Sequence, residues 1–172
     1  MYLAVLTSAA LILHLVETWL PPILTFAPGT KIGLANAVTL FTLMVFGWGA
    51  TAVLTAARCL LAALFGGNMF GLLYSLGGGF AALIVMSLAW YFLYPRISVV
   101  SISILGAVAH NIVQLLIASL VVGQIKVLYL LPTNIIASFI AGIVIGFAVH
   151  YTVKAMPAKF LTGFDNFKNA KE

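Results

Sequence analysis

Residues 98–122 read SVVSISILGAVAHNIVQLLIASLVV, without one charged side chain. A helix rises about 1.5 Å per residue, so a run of that length crosses a hydrocarbon core about 30 Å thick. On either side the chain breaks where such a span should end. Tyr94-Pro95-Arg96 precedes it, and Gly123-Gln124-Ile125-Lys126 follows it. Working outward, the same punctuation by Pro, Gly and charge gives five more apolar segments, at 2–20, 32–46, 50–65, 71–93 and 127–153. Pro21-Pro22 stops the first, and Gly47-Trp48-Gly49 predicts a tight turn between the second and third. Nothing alternates with the two-residue period of a membrane β-strand. The expected fold is an all-α integral membrane protein, a bundle of six transmembrane helices over residues 1–153 with a short polar cytosolic tail at 154–172.

The composition agrees. Hydrophobic residues make up 64%, charged residues 6%, and the mean hydropathy is +1.22. A soluble domain carries about 25% charged residues, so the surface of this one faces lipid. The eight Lys and Arg are scattered and form no basic stripe, which argues against a nucleic-acid partner. Cys59 is the sole cysteine and allows neither an intrachain disulfide nor a thiolate metal cluster. A cleaved signal peptide is a poor reading of the start, which lacks a basic region and carries Glu17. Six spans put both termini on one side. Arg96, Lys154, Lys159, Lys168 and Lys171 share that side against Lys31 and Lys126 on the other, which predicts cytoplasmic termini.

Alternating helix directions convert residue number to depth. His14 and Glu17, Lys31 and Asn36, Arg58, Tyr74 and Ser75, His110, Asn111 and Gln114, and Asn134 then fall between the membrane middle and its outer face. The inner halves hold mainly hydroxyls such as Thr42, Thr51, Ser87 and Ser103, expected to bond back to their own helices. A charge at mid-membrane costs about 2.5–3.5 kcal/mol even on lenient scales, so Glu17 and Arg58 must face inward. One reading is an outward-facing, polar-lined pocket. The other is a Glu17–Arg58 ion pair with structural hydrogen bonds between helices. Gly66 to Gly71 reads either as a hinged gate or as a plain turn. Gly77-Gly78-Gly79 permits close backbone approach within the fourth span. Ala4 with Ser8, and Ser138 with Gly142 and Gly146, form small-residue faces that either pack inside the bundle or dock a partner.

Several chemistries are missing. Prenyl diphosphate synthases hold magnesium on clustered aspartates, whereas Asp165 is the single Asp here. There is no phosphate-binding GxxxxGK[ST] loop, no G-x-S-x-G elbow around Ser75, and His14-x-x-Glu17 is half a metal motif without its mate. No catalytic residues, no cofactor and no metal are expected.

Three stretches carry a resemblance. They are Leu13-His14-Leu15-Val16-Glu17 leading to Pro21-Pro22, Pro28 to Asn36 (PGTKIGLAN), and Gly106 to Gln114 (GAVAHNIVQ). Together they resemble the membrane proteins labelled heptaprenyl diphosphate synthase component I, also called the Gx transporter family, which are grouped with the substrate-binding S-components of energy-coupling factor importers. The resemblance implies a site open to the outside, capped by the first and third loops, and a role in uptake of a vitamin-like micronutrient or precursor. It implies a transmembrane T-component and two cytosolic ATPases as partners, besides membrane lipid and a small-molecule substrate. S-components dock through an AxxxA pattern on the first helix, for which the nearest match is Ala4-x-x-x-Ser8.

The expected function is capture of a small anionic micronutrient or isoprenoid- or quinone-related precursor at the outer face of the bacterial cytoplasmic membrane. Lys31, Arg58 and His110 would supply positive character, and Asn36, Asn111, Gln114 and Asn134 hydrogen bonds. The alternative is a non-catalytic membrane subunit of a prenyl diphosphate or quinone biosynthetic enzyme.

Overall fold

The computed structural model describes residues 1–19, 33–66 and 69–156, and every regular element in it is a helix. In chain order these are α1 (Tyr2–Trp19), α2 (Leu34–Gly66), α3 (Met69–Leu88), α4 (Val99–Val122) and α5 (Leu131–Ala155). A π-helical turn, Ala89–Leu93, prolongs α3, and a 3-10 turn, Ile125–Leu130, leads into α5. Four stretches are long and apolar enough to cross a membrane: Leu34–Phe65, Phe70–Leu93, Val99–Val122 and Ile125–Ala155. The apolar part of α1, Tyr2–Glu17, is shorter.

The caps follow the sequence. Ser98 opens α4 with an extended backbone, and its hydroxyl accepts the Ser101 N–H at 3.1 Å. Gly123 closes the helix in the left-handed conformation at φ 69°, its N–H bonded to the Ser119 carbonyl. Pro132 sits in the first turn of α5, where its missing N–H costs nothing.

The expected second and third helices are two halves of α2. They are joined at Gly47, whose φ of 78° and ψ of −176° break the helix. One glycine suffices where the sequence suggested a three-residue turn, because only the missing Cβ makes that backbone cheap. The second half runs antiparallel to α3. A Cβ built on Gly47 would lie 3.9 Å from the Tyr91 hydroxyl, while one built on Gly79 would meet Thr55, Arg58 and Cys59.

The remaining pairs are also antiparallel. Gly77 and Gly78 of α3 face Ile117, Val113, Gln114 and His110 of α4, and Gly106 of α4 faces Met86. Gly142 and Gly146 of α5 lie against the backbone of Ile104 and Val100 in α4. The small-residue face of α5 is therefore used inside the bundle, whereas Ala4 and Ser8 on α1 are exposed.

The apolar core gathers at one end. It joins Leu40, Leu43 and Met44 of α2, Leu83 and Met86 of α3, Trp90, Val99 and Ile102, and Ile145, Val149 and Val153 of α5. Trp90 stacks on Tyr94 with ring centroids 4.3 Å apart. Outside, Leu105, Leu116 and Leu120 of α4 and Phe139, Val144 and Phe147 of α5 are exposed, whereas Arg58 and Asn134 are buried. Large apolar residues outside and polar ones inside reverse the order of a water-soluble protein and fit a lipid surround.

The α4–α5 seam gives a direct test. A methyl on Gly142 would stand 2.6 Å from the Ile104 Cα, and one on Gly146 2.6 Å from the Val100 Cα. Backbone cannot swing aside as a side-chain tip can. Gly142→Ala and Gly146→Ala should each destabilise the bundle by about 1–3 kcal/mol in thermal unfolding followed by helical circular dichroism. Gly49→Ala, whose Cβ meets nothing within 4 Å, should be neutral or stabilising by up to about 1 kcal/mol.

Candidate functional site

Polar side chains group at three places. The first is the α1–α2 junction. Gly33, at φ 77°, donates its N–H to Glu17 Oε1, and its carbonyl accepts the Asn36 N–H at 2.7 Å. Glu17 and Asn36 are both buried, and half-buried His14 lies one turn before Glu17 on the same helix. The carboxylate thus holds the start of α2 onto the end of α1. Lys31, expected beside Asn36, lies outside the described residues, as do the whole of 20–32, Gly67 and Asn68 of the expected gate, and the tail from 157 onward.

The second place is the α4–α5 seam. Asn111 Nδ2 donates to Ser138 Oγ at 2.7 Å, and Ser138 Oγ donates to the Asn134 carbonyl at 2.6 Å. Asn111 also reaches the Ala107 carbonyl at 3.4 Å. Its amide is thus engaged between helices, while Oδ1 of the buried Asn134 has no hydrogen-bond partner among the described residues.

The third place is α3 between Gly77 and Gly79. Built Cβ atoms at Gly78 would come within 2.8 Å of Gln114 Cγ and 3.1 Å of His110 Nδ1. At Gly79 the same construction gives 3.0 Å to Thr55 Cγ2 and 3.1 Å to Arg58 Nη2. The bare backbone of α3 therefore admits Arg58 from α2 at one residue, and His110 with Gln114 from α4 at the residue before it. Half-buried Tyr74 and buried Ser75 lie one turn away on α3.

Arg58 is the sharpest feature. It is 2% exposed, and its one hydrogen-bond contact among the described residues is Nη2 to Cys59 Sγ at 3.8 Å. A guanidinium carries five N–H donors, and a thiol is a weak acceptor. Arg58 Nε has no hydrogen-bond partner among the described residues. The expected alternative of a Glu17–Arg58 ion pair does not form, because Glu17 serves Gly33 at the helix junction and Arg58 points to Gly79. A cation so placed leaves an uncompensated charge, worth several kcal/mol, unless an anion or water meets it.

The expectation for the hydroxyls needs correction as well. Thr51 bonds back to the Gly47 carbonyl at 2.7 Å, but Thr42, Thr55 and Ser87 are buried with no hydrogen-bond partner on their hydroxyls among the described residues. Sequence reasoning did not single out Thr55, although it stands three residues before Arg58 on the same helix face. Among the described residues no three His, Cys, Asp or Glu side chains gather as a metal site.

A model of the family described as heptaprenyl diphosphate synthase component I matches residues 6–152 of this chain. No curated protein and no solved structure matches it.

The polar groups differ in role, and stability measurements separate them. Ser138→Ala removes the acceptor of the Asn111 amide. It should lower thermal stability by roughly 0.6–2 kcal/mol, the range for an interhelical hydrogen bond or a stranded buried donor. Retained small molecules, measured by mass spectrometry of the purified variant, should stay as in the unaltered protein.

Proposed function

We propose a function from one premise: the chain belongs to the heptaprenyl diphosphate synthase component I family, whose model covers residues 6–152. In that setting the protein is a non-catalytic membrane subunit of a prenyl diphosphate or quinone biosynthetic system. Its bundle holds a small anionic molecule with an isoprenoid- or quinone-like body at Arg58, and a soluble prenyltransferase works beside it. The observation that carries the ligand is Arg58, a buried cation whose one hydrogen-bond contact among the described residues is to Cys59 Sγ. His110 and Gln114, against the neighbouring α3 glycine, add polar surroundings. What supports a non-catalytic role is the acid inventory. The chain has three acids, of which Asp165 and Glu172 lie in the polar tail and Glu17 is engaged by Gly33. Magnesium-dependent diphosphate chemistry needs clustered carboxylates, and this chain has none to cluster.

The topology we propose has six crossings of the bacterial cytoplasmic membrane, with both termini in the cytoplasm. Its support is the antiparallel run of the second half of α2 beside α3, together with the excess of Lys and Arg on the side of the termini. The dry core then occupies the cytoplasmic end, and the Arg58 site lies toward the outer face.

One observation favours a second reading, the substrate-binding subunit of an energy-coupling factor importer. Ala4 and Ser8 stay exposed on one face of α1, with the Ser8 hydroxyl folded back onto the Ala4 carbonyl at 3.0 Å. That small-residue face is available to a transmembrane partner. Both readings share the ligand site and differ in the company kept.

Purification of the tagged full chain from its own membranes, followed by mass spectrometry of bound proteins, separates them. A soluble prenyltransferase is the expected partner. A transmembrane protein arriving with ATPases instead would select the importer and reject the biosynthetic reading. The ligand itself is tested by Arg58→Met. Loss of a charged hydrogen-bonding group should weaken retention of the copurifying small molecule about 10- to 100-fold. The ligand-free variant should be as stable as the parent or more so, because an unpaired buried charge has gone. If Arg58→Met instead unfolds the empty protein and leaves retention intact in what remains folded, Arg58 is structural.

A further inference from the structure

We propose that the end of the bundle where α5 finishes binds an anionic phospholipid, with Arg96 and Lys154 meeting the head group and an exposed stripe of α5 lying along an acyl chain. This surface is separate from the Arg58 site and does not depend on the ligand reading given above.

The placement comes from the helix register. Gly142 of α5 lies on Ile104 of α4, and Gly146 lies on Val100. One further step along the same antiparallel row brings His150 level with Arg96, in the turn that joins α3 to α4. The apolar core fixes the same end from inside. Trp90, Val99 and Val153 belong to one buried cluster, and Tyr94 and Ile97 pack against it. Arg96 precedes Ile97 and Lys154 follows Val153, so the two cations flank one layer of the bundle. Arg96, His150 and Lys154 are all exposed.

Charge selects an anion. Among the described residues the only acid is Glu17, which accepts the Gly33 N–H at the start of α2. The first half of α2 separates that junction from Gly47, which approaches Tyr91 at the Arg96 end. The two cations therefore lie a helix length away from the one carboxylate that could neutralise them there.

The face that leads to Lys154 selects a lipid. Ile140, Val144, Phe147, Tyr151 and Lys154 recur at spacings of three and four, and all are exposed. They form one stripe, apolar for most of its length and cationic at its end. Phe147 stacks on Tyr151 with ring centroids 6.4 Å apart, and His150 meets the same tyrosine edge-on at 5.6 Å. A phospholipid carries its phosphate at the end of its acyl chains and matches this order, whereas a soluble anion has no use for the stripe. Tyr is a residue of the head-group depth, and Lys and Arg beside membrane helices attract anionic lipid. On the topology proposed above, the leaflet concerned is the cytoplasmic one.

The test uses the full chain in a neutral detergent, titrated with phosphatidylglycerol or phosphatidylcholine of matched acyl chains, with bound lipid counted by native mass spectrometry. The unaltered protein should retain phosphatidylglycerol about 10- to 30-fold better. Arg96→Gln and Lys154→Gln should each weaken that lipid about 3- to 5-fold, and the double variant should bring it within about twofold of phosphatidylcholine. Both side chains are exposed, so the melting temperature should not change. Lys126→Gln, an exposed cation at the other end of α4, should keep the preference of the parent. Equal loss in Lys126→Gln would reduce the effect to net charge and overturn the site. Displacement of phosphatidylglycerol by the same concentration of inorganic phosphate would show that the acyl chain plays no part, and the lipid assignment would fall. If the parent has no preference but Asp165→Asn with Glu172→Gln creates one, the chain's own tail occupies the cations and the proposal is wrong. Absence of a preference in every one of these proteins overturns it as well.

Discussion

A guanidinium sealed inside apolar helices, with no carboxylate bonded to it among the described residues, is the constraint on which this structure turns. In water such a group would be solvated by rotating toward the surface. Here the surface is hydrocarbon, so Arg58 has nowhere better to go and the bundle must be built around it. The three glycines of α3 do that building. By omitting side chains at Gly77, Gly78 and Gly79, the helix lets α4 approach on one side and α2 on the other. Arg58 and the His110–Gln114 pair are thereby brought to consecutive residues of one helix. A run of glycines normally weakens a helix by about 1 kcal/mol per residue. Packing against two neighbours offsets that weakness, and the gain is a cradle of backbone at the level of the buried charge.

Stability comes from elsewhere in the molecule. The α4–α5 seam is closed by Gly142 and Gly146 lying on backbone, and it is pinned by Asn111, Ser138 and the Asn134 carbonyl. The apolar core lies at the end where α3 finishes and α4 begins, sealed by Trp90 and Tyr94. That end is apolar without being free of orphaned polar atoms: Thr42 and Ser87 adjoin the core residues Leu43 and Met86 with no hydrogen-bond partner among the described residues.

Much of this was legible in the chain. Apolar run lengths gave the helices, and Ser98 and Gly123 marked the ends of α4 to the residue. What could not be read was which neighbour each face meets. His110 and Asn111 are adjacent in sequence and looked like one polar unit, yet His110 goes to α3 and Asn111 to α5. A helix advances about 100° per residue, so adjacent residues point apart, and only the packing decides what each one finds. Glu17 and Arg58 were natural partners by charge alone. The structure spends Glu17 on the Gly33 N–H at the start of α2, a backbone need invisible to charge counting. Gly47 was legible as a break, but its economy was not, because a single left-handed residue between two helices leaves no loop signature. Thr55 was passed over because a hydroxyl in an apolar helix ordinarily bonds to its own backbone, and nothing in the sequence says which threonine will not.

The chemistry available to the chain limits what any partner can ask of it. With Glu17 bonded to the Gly33 N–H and the other two acids in the polar tail, no three His, Cys, Asp or Glu side chains gather as a metal site among the described residues. On the function proposed above, the buried Arg58 would discriminate by charge and its apolar surround by shape, as suits a subunit that selects an amphipathic anion from within the membrane. Such a molecule pays little to leave the bilayer for the bundle interior, since its tail stays in an apolar medium throughout. Only its head group changes surroundings, and there the gain is largest, because a charged hydrogen bond formed away from water is stronger than one formed in it. Affinity would therefore reside in the head-group contacts at Arg58, and tail length would be read weakly. That division follows from the solvent, and it holds whether the partner is a prenyltransferase or a transport engine.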